Sequence, residues 1–147
     1  MLELKGVERR FASCKGIGPV SFCVRQGEVC SVVGPNGAGK STLFGILSMV
    51  SEEFTGSWSL DGRVGRQIPR GAIGYLPESP FLIPSFTPRQ FCSFDASMRG
   101  VPHTAASIEE HLVAFACKDF IDVPLGELSQ GMTKRVALAC AFLGEPR

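Results

Sequence analysis

An α/β fold is predicted for this chain by three observations. A glycine-rich loop, Gly34-Pro35-Asn36-Gly37-Ala38-Gly39-Lys40-Ser41-Thr42, lies between a short apolar run and an amphipathic stretch. The chain before Pro77 alternates apolar and polar residues between turn dipeptides, the pattern of strands. Beyond Pro77 the apolar spacing becomes helical.

From Met1 to about Gly27, Leu2 and Leu4 alternate, and then Val20, Phe22 and Val24 alternate with Ser21 and Cys23 before Gln26-Gly27. These segments are expected as antiparallel strands. Glu28 to Val33 carries Val29, Cys30, Val32 and Val33, the composition of a strand buried on both faces of a parallel sheet. After the loop, Leu43, Ile46, Leu47 and Val50 recur at i, i+3, i+4 and i+7, giving a helix one apolar face. Ser57-Trp58-Ser59-Leu60 alternates into the turn dipeptide Asp61-Gly62 and extends the β layer. Ile73 to Leu76 is expected as a further strand, stopped by Pro77.

Pro77, Pro80, Pro84 and Pro88 punctuate a loop, so a subdomain boundary is placed at Pro77. Thr87-Pro88 is an N-cap with proline at the first helical position, and Phe91, Phe94 and Met98 are expected on the inward face before Gly100 stops the helix. Ser107-Ile108-Glu109-Glu110 reads as a capping box for a second helix, with Ile108, Leu112 and Phe115 inward. A third helix is expected from about Gln130 to Leu143, burying Met132, Val136, Ala139, Cys140 and Leu143. The chain is thereby read as one domain with three parts: residues 1–76, β-rich with the loop; 77–127, helical; and 128–147, a motif and its following helix.

Bulk properties exclude several classes. At 147 residues and 44% hydrophobic content the chain can bury a core. Fifteen basic and 14 acidic side chains give a net charge of +1, so there is no field to hold a nucleic acid. Arg63, Arg66 and Arg70 are read as a solvated loop. No apolar run approaches the roughly 18 residues that span a bilayer, and Met1 to Arg10 is too charged for a secretory signal, so a cytoplasmic location is expected. Cys14, Cys23, Cys30, Cys92, Cys117 and Cys140 show no metal-ligand spacing and mostly sit in apolar stretches as small hydrophobes. His103 and His111 have no carboxylate or cysteine at ligand spacing. Phe91, Phe94 and Phe115 are read as packing.

The loop identifies a ligand. Gly34, Gly37 and Gly39 let the backbone curl so that successive N–H groups point into one concavity, and a helix beginning near Lys40 adds its positive end. Nucleoside triphosphate oxygens fit there. Lys40 is expected on the β- and γ-phosphates and the Ser41 hydroxyl on Mg²⁺. A chance match to the four fixed positions is on the order of one per cent at average composition.

With Leu128-Ser129-Gln130-Gly131-Met132 opening a helix far downstream, the chain resembles the ATP-binding domain of ABC transporters over essentially its whole length. That segment is similar to the family's signature sequence, Ser21 to Glu28 looks like its lead-in to the loop, and Gly74-Tyr75-Leu76-Pro77-Glu78 looks like its Q-loop. The implied fold is the P-loop NTPase cassette: an antiparallel β layer, a parallel core sheet, present here in part, and a helical subdomain. The resemblance implies that Phe11 stacks on adenine, that Gly34 to Thr42 bind ATP, and that Glu78 and Ser41 serve Mg²⁺. It implies that Leu128 to Met132 meet the γ-phosphate of ATP held by a second ABC ATP-binding subunit. Independently, Ser129 and Gly131 at a helix N-terminus suit an anion, although an ordinary serine N-cap has the same appearance.

The chain departs from the family pattern in three places. The signature reads LSQGM, with Ser129 and Gly131 retained. Glu78 stands where the family has glutamine, which keeps an oxygen for Mg²⁺ or water but adds negative charge. The sequence runs to Glu145-Pro146-Arg147, where the family continues into an apolar strand, an Asp and a catalytic Glu (Walker B), and later a switch His. Asp61 and Asp122 do not end such a strand. The expectation is therefore a C-terminally incomplete cassette, most simply a piece of a longer domain, that binds ATP weakly or not at all and does not hydrolyse it alone. An uncovered sheet edge and poor solubility follow from the same expectation.

The leading functional expectation is an ABC ATPase subunit of exporter-like kind, pairing with a second cassette as homo- or heterodimer and with a transmembrane permease on another polypeptide, at the inner face of the plasma membrane. The alternatives are a soluble, non-transport ABC ATPase, and a hydrolysis-incompetent fragment that only binds nucleotide or a partner cassette.

Overall fold

The computed structural model describes residues 1–12, 16–144 and 146. Cys14, Glu145 and Arg147, named above, lie outside them. The chain divides into two compact units, Met1–Ile68 and Pro69–Arg147.

The first unit is built on an antiparallel sheet of β1 (Leu2–Arg10), β2 (Gly16–Val24) and β3 (Thr55–Leu60), in the order β2-β1-β3. In register, Leu4 of β1 lies opposite Phe22 of β2 and Trp58 of β3. Leu4 and Val7 have opposite parity, yet both are buried. A register shift between them, where Gly6 adopts a φ of 59°, restores the inward side after the bulge. Gly56 follows from that bulge: a Cβ there would stand 2.2 Å from the Gly6 carbonyl oxygen. The N-terminal ammonium of Met1 pairs with the Asp61 carboxylate.

α1 (Lys40–Leu47) packs beside β2 and buries Leu43 and Ile46. Val50, expected on the same face, is 75% exposed, because Met49 turns to a φ of 60° and ends the helix before it. The strand expected at Glu28–Val33 is also corrected. The segment is without strand pairing among the described residues, and Val29 and Val33 are open to solvent. Apolar composition alone does not make a strand, since the ladder needs a neighbouring strand to accept and donate. The parallel sheet expected around it is accordingly not formed among the described residues.

The second unit is helical: α2 (Pro88–Arg99), α3 (Ala105–Ala114) and α4 (Gln130–Phe142). Thr87 caps α2, accepting from the Gln90 amide, and Gly100 closes it with a φ of 67°. The cap of α3 is Thr104, three residues before the expected cap at Ser107, with Ser107 completing a capping box in place of the one read from Ser107 to Glu110. Cys92, Ala96, Ile108, Leu112, Val136 and Ala139 form the centre of the core. The buried stripe of α2 runs through Pro88, Phe91, Cys92 and Ala96, so Phe94 and Met98, expected inside, are largely exposed. Phe94 still makes edge contact with Phe86, ring centroids 5.9 Å apart. Ile73–Leu76, expected as a strand, is likewise without strand pairing among the described residues. Its backbone runs against the end of α4, where a Cβ on Gly74 would fall 2.2 Å from the Ala141 carbonyl oxygen.

Candidate functional site

The Gly34–Thr42 loop turns at Pro35-Asn36-Gly37-Ala38, where the Ala38 amide donates to the Pro35 carbonyl over 3.2 Å. Gly37 supplies the φ of 85° at the third turn position, a value an L side chain resists. Gly39 has a φ of 90° and is the N-cap of α1. A Cβ on Gly39 would stand 2.4 Å from the Gly16 carbonyl oxygen and 2.8 Å from the Ile17 Cβ, so glycine is required by space as well as by dihedral. Lys40 reaches back across the loop, its ammonium donating to the carbonyls of Gly34 and Pro35 at 2.7 and 2.8 Å.

Several observations fit this loop to a triphosphate. α1 has no side-chain cap and no acidic residue in its first turn, so its leading N–H groups are offered to an anion. Asn36, Gly37 and Ala38 are exposed, and a Cβ on Gly37 would meet nothing within 4 Å. The Ser41 hydroxyl lies on the exposed side of the first turn. Among the described residues no cluster of three or more His, Cys, Asp or Glu can hold a metal. Mg²⁺ at such a loop is held largely by nucleotide oxygens and water, with one or two protein ligands, and Ser41 suits that role.

Phe11, at the end of β1, is 40% exposed, and the Arg9 guanidinium carbon lies 4.4 Å from its ring centroid. A depression of about 580 Å³ is lined by Glu8, Arg9, Arg10, Glu53, Phe54 and Thr55, and Phe11 is not part of its lining. Arg9 was not among the residues that the sequence singled out. Its neighbours Ser51 and Glu53 come from a distant segment, and nothing local in Arg9-Arg10-Phe11 says which arginine meets the ring.

In the second unit Ser129 is the N-cap of α4, its Oγ accepting from the Met132 amide at 3.3 Å, and Thr133 Oγ1 donates to the Ser129 carbonyl at 2.9 Å. Leu128 and Met132 pack on the core while Ser129, Gln130 and Gly131 lie on the surface. The motif is thus anchored at both ends with its polar centre outward. Glu78 is exposed at a bend just after Pro77.

A sheet-and-helix unit bearing a phosphate loop, with a helical unit bearing a capped, surface-facing LSQGM turn, defines part of a nucleotide-binding cassette. The sequence profile described as "ABC transporter" matches residues 17–147, and the chain belongs to that family. It is 33% identical over an alignment of 156 positions to the lipoprotein-releasing system ATP-binding protein LolD of Bacteroides fragilis, covering 99% of this chain and 72% of that protein. It is 33% identical over 129 positions to the ABC-type organic anion transporter ABCA8B of Mus musculus, covering 86% of this chain but only 8% of that protein. A solved ATP-binding subunit of an ABC transporter superposes with a TM-score of 0.82 at 28% identity, over 99% of this chain and 63% of that one. The solved neighbours are ABC ATPase cassettes, P-loop NTPases by fold.

Proposed function

We propose that this chain is part of the ATP-binding subunit of an ABC transporter, seating MgATP on Gly34–Thr42. In this reading Lys40 neutralises the β- and γ-phosphates, the amides of Gly37 to Thr42 cradle phosphate oxygens, and Phe11 stacks on adenine. Ser41 and Glu78 serve Mg²⁺, which neutralises charge on the nucleotide oxygens when bound. Ser129 and Gly131, held outward by Leu128 and Met132, meet the γ-phosphate of a nucleotide on a second ABC ATP-binding subunit. Residues 1–76, 77–127 and 128–147 then act as loop-bearing, helical and signature parts of one cassette domain. The partner that moves substrate is a transmembrane permease on a separate polypeptide, with this chain peripheral on the inner face of the plasma membrane. Among the described residues no helix is long and apolar enough to cross a membrane. The exporter-like subclass draws support from the lipoprotein-releasing relative.

The observation that carries this reading is the uncapped N-terminus of α1 beside a loop spanned by the Lys40 ammonium. Family members hydrolyse ATP, and catalysis requires a carboxylate to position water on the γ-phosphate. Asp61 pairs with the N-terminal ammonium and Asp122 with Arg89, so neither supplies that group. On this reading the 147 residues by themselves bind MgATP weakly or not at all and do not turn it over. Calorimetric titration with MgATP, alongside a phosphate-release assay with and without an intact partner cassette, tests this. Binding lost in Lys40→Ala and no turnover by the chain alone are expected; turnover above background in the pure chain would sink the second half.

A further inference from the structure

The ring of Phe11 is covered on one face. Arg9 lies over it at 4.4 Å, within the range of a cation–π contact. That guanidinium is clamped: Nη1 donates to Ser51 Oγ, and Nη2 donates to Glu53 Oε2 at 3.2 Å. The backbone of Arg9 is fixed as well, opposite Ile17 in the β1–β2 register. The Arg9 side chain is only 19% exposed, whereas the Glu53 side chain that holds it is 89% exposed. The planar cation is thus held from behind by two groups of the α1–β3 connection and from below by its own strand.

A planar cation fixed over an aromatic ring sets the plane of that ring and leaves one face for another partner. Phe11, at the end of β1, retains 40% exposure after Arg9 is in place. We propose that Arg9 is a positioning residue for the purine base. It backs Phe11 on one side so that the ring is already oriented when adenine stacks on the other, and less ordering is needed at binding. The inference rests on the reading of Phe11 as the adenine platform and adds to it the group that holds the platform. Arg9 acts on the base end of the nucleotide only, because the phosphates are addressed by Lys40 and the amides of α1.

This separation makes a test with ligands that share the triphosphate and differ in the presence of adenosine. The full chain is titrated with ATP and with inorganic tripolyphosphate, both with Mg²⁺, and the ratio of the two affinities is the readout. The unaltered chain should prefer ATP. Arg9→Ala should lower that preference roughly two- to thirtyfold while leaving tripolyphosphate binding in place. Arg9→Lys, which keeps a cation but lacks the planar fork, should recover part of it. The Ser51→Ala/Glu53→Gln double variant, which frees the clamp but leaves Arg9 itself unchanged, should shift the ratio in the same direction as Arg9→Ala. Phe11→Ala is the control for the platform. If Phe11→Ala lowers the preference and Arg9→Ala does not, the role of Arg9 is wrong and the platform stands. If Phe11→Ala leaves it unchanged, or the unaltered chain shows no preference, the platform reading fails and Arg9 falls with it. Equal loss of both ligands in Arg9→Ala and in the double variant would show a purely structural arginine and overturn the inference.

Discussion

The Lys40 ammonium donates a 2.7 Å hydrogen bond to the carbonyl oxygen of Gly34, on the opposite arm of the same loop, and a second of 2.8 Å to Pro35. Neutral carbonyls are weaker partners for an ammonium than triphosphate oxygens, so an arriving phosphate takes the cation from the loop. Lys40→Ala is expected to weaken MgATP binding by about tenfold or more, since hydrogen bonds to charged groups contribute roughly 1.5–3 kcal/mol. Thermal unfolding should move little. A stability loss as large as the binding loss would mean that the lysine serves the loop and not the ligand.

Gly39 is the least replaceable residue of the loop. Gly39→Ala places a methyl group 2.4 Å from the Gly16 carbonyl oxygen in a φ of 90°. Backbone cannot yield as a flexible side chain does, so a cost of about 2–4 kcal/mol is expected. Gly37→Ala meets no atom within 4 Å and carries only the dihedral cost, of order 1 kcal/mol. Urea unfolding of the two variants should therefore rank Gly39→Ala well below Gly37→Ala. The reverse order would disprove the contact with β2.

What was legible in the sequence divides along local and non-local lines. Thr87 with Pro88 and Ser129 before Gln130 announced helix starts, because caps are read from a few adjacent residues. Gly34 to Thr42 were legible for the same reason. Glu28–Val33 and Ile73–Leu76 were not, because their apolar composition says they suit a strand and nothing about what pairs with them. Phe94 and Met98 were misplaced because two stripes of similar apolarity run along α2, and the one through Cys92 and Ala96 wins. Its small residues let the helices approach closely enough for the Cys92 and Cys140 sulfurs to stand 3.2 Å apart. Arg9 over Phe11 depended on Ser51 and Glu53, too distant in sequence to anticipate.

Arg99 closes the far end of α4. From the last turn of α2 it donates to the carbonyls of Cys140 and Leu143 at 2.7 and 2.8 Å, and it pairs with Asp95 at 3.3 Å. The Cys140 carbonyl already accepts from the Leu143 amide at 3.1 Å, and the arginine adds a charged donor to it and to the Leu143 carbonyl at the helix end. Arg99→Ala should destabilise the chain by about 2–3 kcal/mol in urea unfolding, with faster amide exchange concentrated in the last turn of α4. Uniform exchange along all three helices would contradict a local cap.

Arg89 holds Asp122 through two hydrogen bonds and Glu109 through a third. The bond from Arg89 holds the Asp122 carboxyl below its ordinary range, and the flanking carboxylates raise the already high Arg89 value. For a carboxyl whose folded pKa lies below the unfolded value of about 3.9, the unfolded chain binds more protons near that pH, so stability rises with pH. The contribution of Asp122 is complete above the unfolded value and is lost as pH falls through the lower folded one. Arg89 stays charged throughout. The stability difference between the unaltered chain and Asp122→Asn should be constant above about pH 5 and shrink below about pH 4. A difference that grows on acidification would reverse the assignment.

The cysteines of the two units should separate by reactivity. Cys92, Cys117 and Cys140 are buried in the helical core, whereas Cys23 and Cys30 are exposed. The Cys140 thiol is pushed far up by its hydrogen bond with Cys92 and by burial, and burial raises Cys117 as well. Only the thiolate attacks an alkylating reagent, so both access and ionisation protect the core thiols. Under native conditions maleimide should label Cys23 and Cys30 first, with Cys92, Cys117 and Cys140 reacting only at the rate at which the helical unit opens. Arg99→Ala should then speed labelling of Cys140, whose carbonyl it caps, while leaving Cys23 and Cys30 unchanged. Peptide mapping by mass spectrometry resolves the sites, and early labelling of Cys140 in the unaltered chain would show that α2 and α4 do not form the closed core from which these expectations derive.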